Sequence, residues 1–314
     1  MTRAFVFPGQ GSQAVGMGRE LSDAFQIARH TFQEVDEALS QKLSSLMFEG
    51  PESDLTLTEN AQPALMAVSV AVLRVLEREG GVELHKAASF VAGHSLGEYS
   101  ALAAAGTFSL ADTARLLKLR GQAMQKAVPV GEGAMAALLG LDLAAAQEIA
   151  AEAAQGEICS TANDNAPGQV VVSGHRAAVE RAIAIAAGKG AKRSILLPVS
   201  APFHCELMAP AAEAMAEALA NVELRGPTVP VVANVTAQAV ISPDEIRRLL
   251  VDQVTGLVRW RESVLFMKEQ GVDTLVELGA GKVLSGLAKR IDREIAGVSI
   301  QGPADIEAFL KKVS

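Results

Sequence analysis

The 314-residue chain is predicted to be an α/β protein built on a mostly parallel sheet, with a second, smaller unit inserted into it. Three observations predict this. β-prone runs alternate with helical tracts in residues 3–128 and again from 229 onward, the order that covers both faces of a parallel sheet with helices. Between them, residues 133–200 read strand, helix, strand, strand, helix, strand, an arrangement complete in itself. The composition, 49% apolar but only 4% aromatic, provides Ala, Leu, Val and Ile for helices packed closely on a sheet.

Residues 3–7 form the first strand and lead into Pro8-Gly9-Gln10-Gly11-Ser12-Gln13, whose glycines let backbone amides approach a ligand. Gly9-x-Gly11-x-x-Ala14 imitates a dinucleotide fingerprint. The βαβ unit it requires is missing, because the helical tract Leu21–Leu39 follows with no second strand at the usual distance. An ordinary tight turn and an oxyanion donor in the N–H of Gln10 both fit this loop. Asn60-Ala61-Gln62-Pro63 opens an apolar helix through Arg78, with Pro63 expected in the first turn. Gln62 either caps that helix or faces a site.

Phe90-Val91-Ala92 then meets Gly93-His94-Ser95-Leu96-Gly97, followed by helix formers to Ala105. Strand, sharp turn and helix around G-x-S-x-G expose a serine hydroxyl above the sheet. The backbone N–H of Leu96 lies where an oxyanion would form. Ser109 and Asp112 start the next helix, Leu110–Lys126. Arg115 and Lys118 read as its solvated face, whereas Arg120, crowded by Leu116, Leu117 and Leu119 and followed by Gly121, is a candidate ligand-binding cation.

Within the insertion, strands are expected at Gly133–Leu141, Glu157–Ala162, Gln169–Ser173 and Ser194–Val199, and helices at Leu143–Ala154 and Arg176–Ala187. This is the ferredoxin-like split unit. Pro129-Val130-Gly131 and Pro198 mark its ends, and Asn163–Gly168 is expected as a loop lining the cleft. His204 follows the junction beside Pro202, a place for a general base. The other histidines, His30, His85, His94 and His175, read as structural, and Cys205 is a poor nucleophile candidate beside His204. The remainder reads as strand Val229–Val235, helices Pro243–Val254 and Arg261–Gln270, strand Thr274–Leu278, helix Val283–Ile291, strand Val298–Ile300 and helix Asp305–Lys312. Gly279-Ala280-Gly281-Lys282 fails as a phosphate loop, since Val276 replaces its first glycine and Val283 its Ser or Thr.

A formal net charge of −8 argues against general nucleic-acid binding. The two cysteines, Cys159 and Cys205, make neither a metal spacing nor a disulfide framework, which suits a reducing compartment. The N-terminal residues lack a signal-peptide pattern, and no apolar run approaches a membrane span, so a cytoplasmic protein without membrane association is expected.

Phe7-Pro8-Gly9-Gln10-Gly11-Ser12-Gln13, Gln62-Pro63-Ala64, Gly93-His94-Ser95-Leu96-Gly97-Glu98, Arg120-Gly121, Asn165-x-Pro167-Gly168-Gln169, Phe203-His204, Trp260 and Gly279-x-Gly281-Lys282-Val283-Leu284 occur in this order. Together they resemble the malonyl-CoA:acyl-carrier-protein transacylase family of bacterial fatty-acid synthesis, over essentially the whole chain. The resemblance implies an α/β-hydrolase-like catalytic domain, residues 1–128 and 199–314, holding a ferredoxin-like small domain, residues 129–198. It implies Ser95 as nucleophile, His204 as its base, and the backbone carbonyl of Gln253 as the imidazole's partner in place of a carboxylate. The N–H groups of Gln10 and Leu96 would hold the oxyanion. Arg120 would bind the malonyl carboxylate through two prongs, with Gln62 close by.

No cofactor and no metal are expected, the coenzyme A thioester being a substrate. An acidic acyl carrier protein would dock on basic groups drawn from Lys282, Lys289, Arg290, Arg293, Lys189, Lys192 and Arg193, whose other reading is a solvated charge run. The sequence departs from the family at Cys205, where serine is common, and at Gly256-Leu257, where some members have Asn-Pro. Three rivals stand beside this reading: a serine esterase using water on the same scaffold, a non-catalytic binding module, and a nucleotide-binding protein.

Overall fold

The computed structural model describes residues 2–313. Its strands are β1 (Arg3–Phe7), β2 (Phe90–Gly93), β3 (Gly133–Leu139), β4 (Cys159–Ala166), β5 (Gln169–His175), β6 (Arg193–Leu196), β7 (Val231–Val232), β8 (Ala239–Val240), β9 (Thr274–Leu278) and β10 (Ala296–Ile300). They form two sheets, one of order β10-β9-β1-β2-β7-β8 and one of order β4-β5-β3-β6.

The larger sheet is parallel except for its edge, where β8 runs antiparallel to β7. The period of two along β1 divides its side chains between two cores. Phe5 and Phe7 pack with the buried helix Thr58–Gly80, while Ala4 and Val6 join Trp260, Leu284 and Leu287 from the helices Trp260–Glu269 and Val283–Ile291. Each phenylalanine is completely buried, worth roughly 1.5–3 kcal/mol apiece. The loops leaving β1, β2 and β9 all emerge at the carboxyl edge of this sheet, where open α/β sheets bind ligands.

The smaller sheet is antiparallel throughout, and its order is that of a βαββαβ split unit. One face, with Ala136, Leu138, Val170 and Val172, packs on the helices Leu143–Ala154 and Arg176–Gly188. The other, with Met135, Ala137 and Val171, packs with Ala162 against Phe203. β4 is tied to the larger body by a bridge between Asn163 and Val258. The buried carboxylate of Asp164 adds an ion pair with Arg261 at 2.8 Å.

Several expectations need correction. The helical tract Leu21–Leu39 is broken at Phe25, which is extended, giving helices Arg19–Ala24 and Gln26–Leu39. The central helix starts at Thr58, so Pro63 stands beyond its first turn, within the helix. Asn163-Asp164-Asn165 is not loop but the end of β4, because its polar side chains find partners in the larger body and the turn shrinks to Pro167-Gly168. The run Val229–Val235 supplies only the two-residue β7, followed by the unforeseen β8. The helices Leu43–Glu49, Glu52–Thr56, Leu84–Ala87 and Ala209–Ala220 were not anticipated. Most of these are short, and the last is Ala-rich with little polar contrast to mark it.

Among the described residues, no helix is long and apolar enough to cross a membrane.

Candidate active site

Ser95 sits at the tip of the β2 turn with φ 54° and ψ −112°, a conformation rarely adopted by a side-chain-bearing residue and costing on the order of 1–3 kcal/mol. The flanking glycines make it possible. A Cβ on Gly93 would lie 1.9 Å from the backbone of Gly97, and one on Gly97 would lie 2.2 Å from the carbonyl oxygen of Phe7. Asn234, just after β7, clamps the turn: its Oδ1 accepts the N–H of Ser95 at 2.8 Å and its Nδ2 donates to Gly93 O at 2.7 Å. Leu96 is the first residue of the helix Leu96–Ala104, so its N–H is among the donors a helix leaves unpaired. The β1 loop lies against this turn, since a Cβ on Gly9 would meet His94 O at 2.8 Å. That contact brings Gln10 to the same edge.

His204 has φ 58° and is almost wholly buried. Its Nε2 lies 2.7 Å from Ser95 Oγ, and its Nδ1 lies 2.9 Å from the backbone oxygen of Gln253. A carbonyl can only accept, so Nδ1 carries the hydrogen and Nε2 presents a lone pair to the serine hydroxyl. Burial, reinforced by the nearby Arg120 cation, pushes the imidazole down to about 3. The neutral, proton-accepting form is therefore the resting one.

Arg120 is 1% exposed in the helix Leu110–Ala127. Gly121 draws this helix against Thr58–Gly80, a Cβ there meeting Glu59 Cα at 2.5 Å. The guanidinium donates from Nη1 to Gln62 Oε1 at 2.8 Å, and from Nη2 to Gln253 Oε1 at 2.8 Å and Ser95 Oγ at 3.2 Å. It lies 5.7 Å from the Tyr99 ring centroid. Among the described residues no carboxylate lies within ion-pair distance of it, the buried Glu98 acting on its charge only from beyond that range, and its Nε has no hydrogen-bond partner. A buried cation held by neutral amides is a strong attractor for an anionic group, since leaving it uncompensated costs several kcal/mol.

Structure thus gathers Ser95, His204, Arg120, Gln62 and Gln253 by direct contact, with Leu96 adjoining and the Gln10 loop packed on the turn. Sequence reasoning missed Asn234, the side chain of Gln253 and the carboxylate of Glu98. Glu98 is 3% exposed; its Oε2 accepts from Gln253 Nε2 at 2.8 Å and from the N–H of Asn234 at 3.1 Å. Burial raises its carboxyl to about 7 against the pull of these bonds. A glutamate inside an otherwise apolar helix start was the available signal. His94, read as structural, faces the smaller sheet, with Nε2 2.8 Å from Asn165 Oδ1 and its ring tilted against Trp260. No three His, Cys, Asp or Glu side chains among the described residues gather as metal ligands.

A serine on a strained strand-to-helix turn, with a neutral imidazole on its hydroxyl, on a sheet of this order, defines a serine acyl-transfer site of the kind that acyltransferases and hydrolases share. The sequence pattern of the acyl transferase domain family matches residues 4–299. The chain is 48% identical to the malonyl CoA-acyl carrier protein transacylase of Escherichia coli (strain K12) over 308 residues, covering 98% of each. With the enzyme of that name from Bacillus subtilis (strain 168) it is 47% identical over 309 residues, 98% of this chain and 96% of that one. The crystal structure of an acyl-carrier-protein-S-malonyltransferase from Bartonella henselae superposes with a TM-score of 0.97 at 57% identity, covering 100% of this chain and 99% of that one. A malonyl-transacylase solved in complex with a type II PKS acyl-carrier protein superposes with a TM-score of 0.96 at 45% identity, covering 99% and 100%. The chain belongs to the acyl transferase family and, within it, to the malonyl CoA-acyl carrier protein transacylases.

Proposed function

We propose that this protein transfers the malonyl group of malonyl-CoA to the phosphopantetheine thiol of acyl carrier protein, through a malonyl ester on Ser95, in fatty-acid biosynthesis in the cytoplasm. Ser95 Oγ gives its proton to Nε2 of His204 and attacks the thioester carbon. The Gln253 carbonyl holds the imidazole in the required tautomer and stabilises the imidazolium that forms. The N–H groups of Gln10 and Leu96 receive the oxyanion. As the C–S bond breaks, His204 returns its proton to the coenzyme A sulfur. The carrier thiol then gives its proton to His204 and attacks the ester carbon, the bond to Ser95 Oγ breaks, and His204 returns the proton to that oxygen, so the kinetics are ping-pong.

The observation that carries this reading is the buried guanidinium of Arg120, 3.2 Å from Ser95 Oγ and, among the described residues, with no carboxylate at ion-pair distance. Arg120, with Gln62, binds the distal carboxylate of a malonyl group and disfavours an acetyl group, which leaves that charge unmet. The residues divide as a catalytic body, 1–128 and 199–314, and a small domain, 129–198, that shapes the cleft. Of the basic groups considered for carrier docking, Lys189 is already paired with Glu152 at 2.6 Å. Lys282, Lys289, Arg290, Arg293, Lys192 and Arg193 are exposed and carry the docking role.

Intact-mass measurement after mixing with malonyl-CoA or acetyl-CoA tests the reading. A malonyl adduct on Ser95, stable until carrier protein is added and then discharged onto its thiol, is expected. Discharge to water at the same rate without carrier, or equal loading by acetyl-CoA, would overturn it in favour of a hydrolase.

A further inference from the structure

Gln253 is completely buried, and its backbone oxygen and both polar atoms of its side chain face the site. Its backbone oxygen accepts from His204, its Oε1 accepts from Arg120, and its Nε2 donates to Glu98 and, at 3.0 Å, to Ser95 O. A side-chain amide is nearly symmetric in shape but not in hydrogen bonding. Turned over, it would set an NH2 against the guanidinium and an oxygen against the Glu98 carboxylate and the Ser95 carbonyl. Glu98 Oε2 already accepts both this Nε2 and the N–H of Asn234, so it faces Gln253 as an acceptor, the role that an amide oxygen turned toward it could not meet.

We infer that Glu98 is a positioning residue for substrate selection: by fixing the orientation of the Gln253 amide, it holds Arg120 where the carboxylate of the acyl group must bind. The same Oε2 takes the N–H of Asn234, whose side chain clamps the Ser95 turn, so one oxygen sets the arginine anchor and the serine clamp in register. The His204 contact depends on the Gln253 backbone, fixed by the helix Pro243–Thr255, and not on the amide. Loss of Glu98 should therefore separate selectivity from nucleophile reactivity.

This inference rests on malonyl transfer as the activity, and the experiment tells the two apart. The malonyl-over-acetyl ratio of kcat/KM is measured beside the rate at which a neutral fluorophosphonate labels Ser95. For Glu98→Ala the ratio should fall at least tenfold, mainly through KM for malonyl-CoA, with labelling slowed by a smaller factor. Glu98→Gln, which keeps an acceptor oxygen at the same reach, should recover most of the ratio. Gln253→Met, which keeps the backbone carbonyl, should lower the ratio as Glu98→Ala does, and the double variant should be no worse than the poorer single. Should Glu98→Ala fail to fold, Glu98→Asp, one methylene short, takes its place. An unchanged ratio, no recovery with Gln, or additive losses would overturn the role of Glu98. A wild-type protein that does not prefer malonyl-CoA would overturn the activity instead.

Discussion

Two strand-to-helix turns on the same edge of the larger sheet, Gly93–Gly97 after β2 and Gly279–Lys282 after β9, are built alike and used differently. Each has glycine where a Cβ has no room: 1.9 Å from the backbone of Gly97 at Gly93, and 2.3 Å from Ser69 Oγ at Gly279. Each delivers the N-terminus of a helix, a natural seat for negative charge. After β9 that seat is filled. The fully buried Glu277 accepts the N–H of Leu284 at 3.1 Å and of Ser285 at 2.8 Å, so the protein's own carboxylate stands where a phosphate would bind. After β2 the N–H of Leu96 at the helix start takes, among the described residues, no carboxylate of the protein's own, and His204 and Arg120 stand close to the neighbouring Ser95. Glycine spacing therefore reports close packing. Whether the turn becomes a site depends on what occupies the helix end and what faces it.

The largest effects should come from breaking the β2 turn. Ser95→Ala should lower transfer by roughly 10⁴-fold or more, as removal of a nucleophile does. Gly93→Ala tests the geometry with the nucleophile kept, and because its Cβ would collide with backbone it should remove either folded protein or fluorophosphonate labelling of Ser95. Gly281→Ala, at φ 81° and 3.2 Å from the Ser12 side chain, should cost only about 1–2 kcal/mol of stability. Labelling at the wild-type rate in well-folded Gly93→Ala protein would show that the turn does not need its tight packing.

Next in size is the group facing the turn. Arg120→Ala should reduce the malonyl-over-acetyl preference about 100-fold, an effect of roughly 3 kcal/mol. It should also move the acid limit of Ser95 labelling. His204 is held near 3, first by burial and then by the Arg120 cation, so in the wild type labelling should show no decline around pH 6.5. Removing the cation favours the imidazolium, raises this pKa, and shifts the acid limit to higher pH. An unmoved limit would mean that Arg120 does not govern the base. The same depression makes stability fall as pH drops from 6.5 toward 3, because the unfolded chain then binds the proton that buried His204 refuses.

Much of this was legible in the sequence where the chemistry is local. The glycine-flanked Ser95, the β-prone run of β1 and the order of elements from 133 to 196 each follow from neighbouring residues. The resemblance supplied the role of the Gln253 carbonyl, which no spacing announces, since any residue has one. What stayed hidden depends on contacts far apart in the chain. Asn234 and Ser95 are 139 residues apart, and the Asn165 contact with His94 required β4 to run on through a stretch whose composition reads as turn. Glu98 was visible as a letter of the motif, but only the fold shows its single oxygen joining Gln253 to Asn234.

The smallest effect expected is at the filled turn, and it bears most directly on the contrast. Glu277→Gln keeps one acceptor oxygen for the helix Val283–Ile291 but removes the charge and offers an amide to a second N–H that needs an acceptor. The loss should be about 1–2 kcal/mol, the worth of a buried charge-assisted bond plus its interaction with the helix end. Denaturant unfolding should detect it. Ser95 labelling and malonyl transfer should stay within twofold of wild type, because Glu277 contacts neither Ser95, His204 nor Arg120. A tenfold drop in transfer by a variant that folds normally would mean that the two turns are coupled through the sheet, and that a filled helix end serves the chemistry as well as the packing.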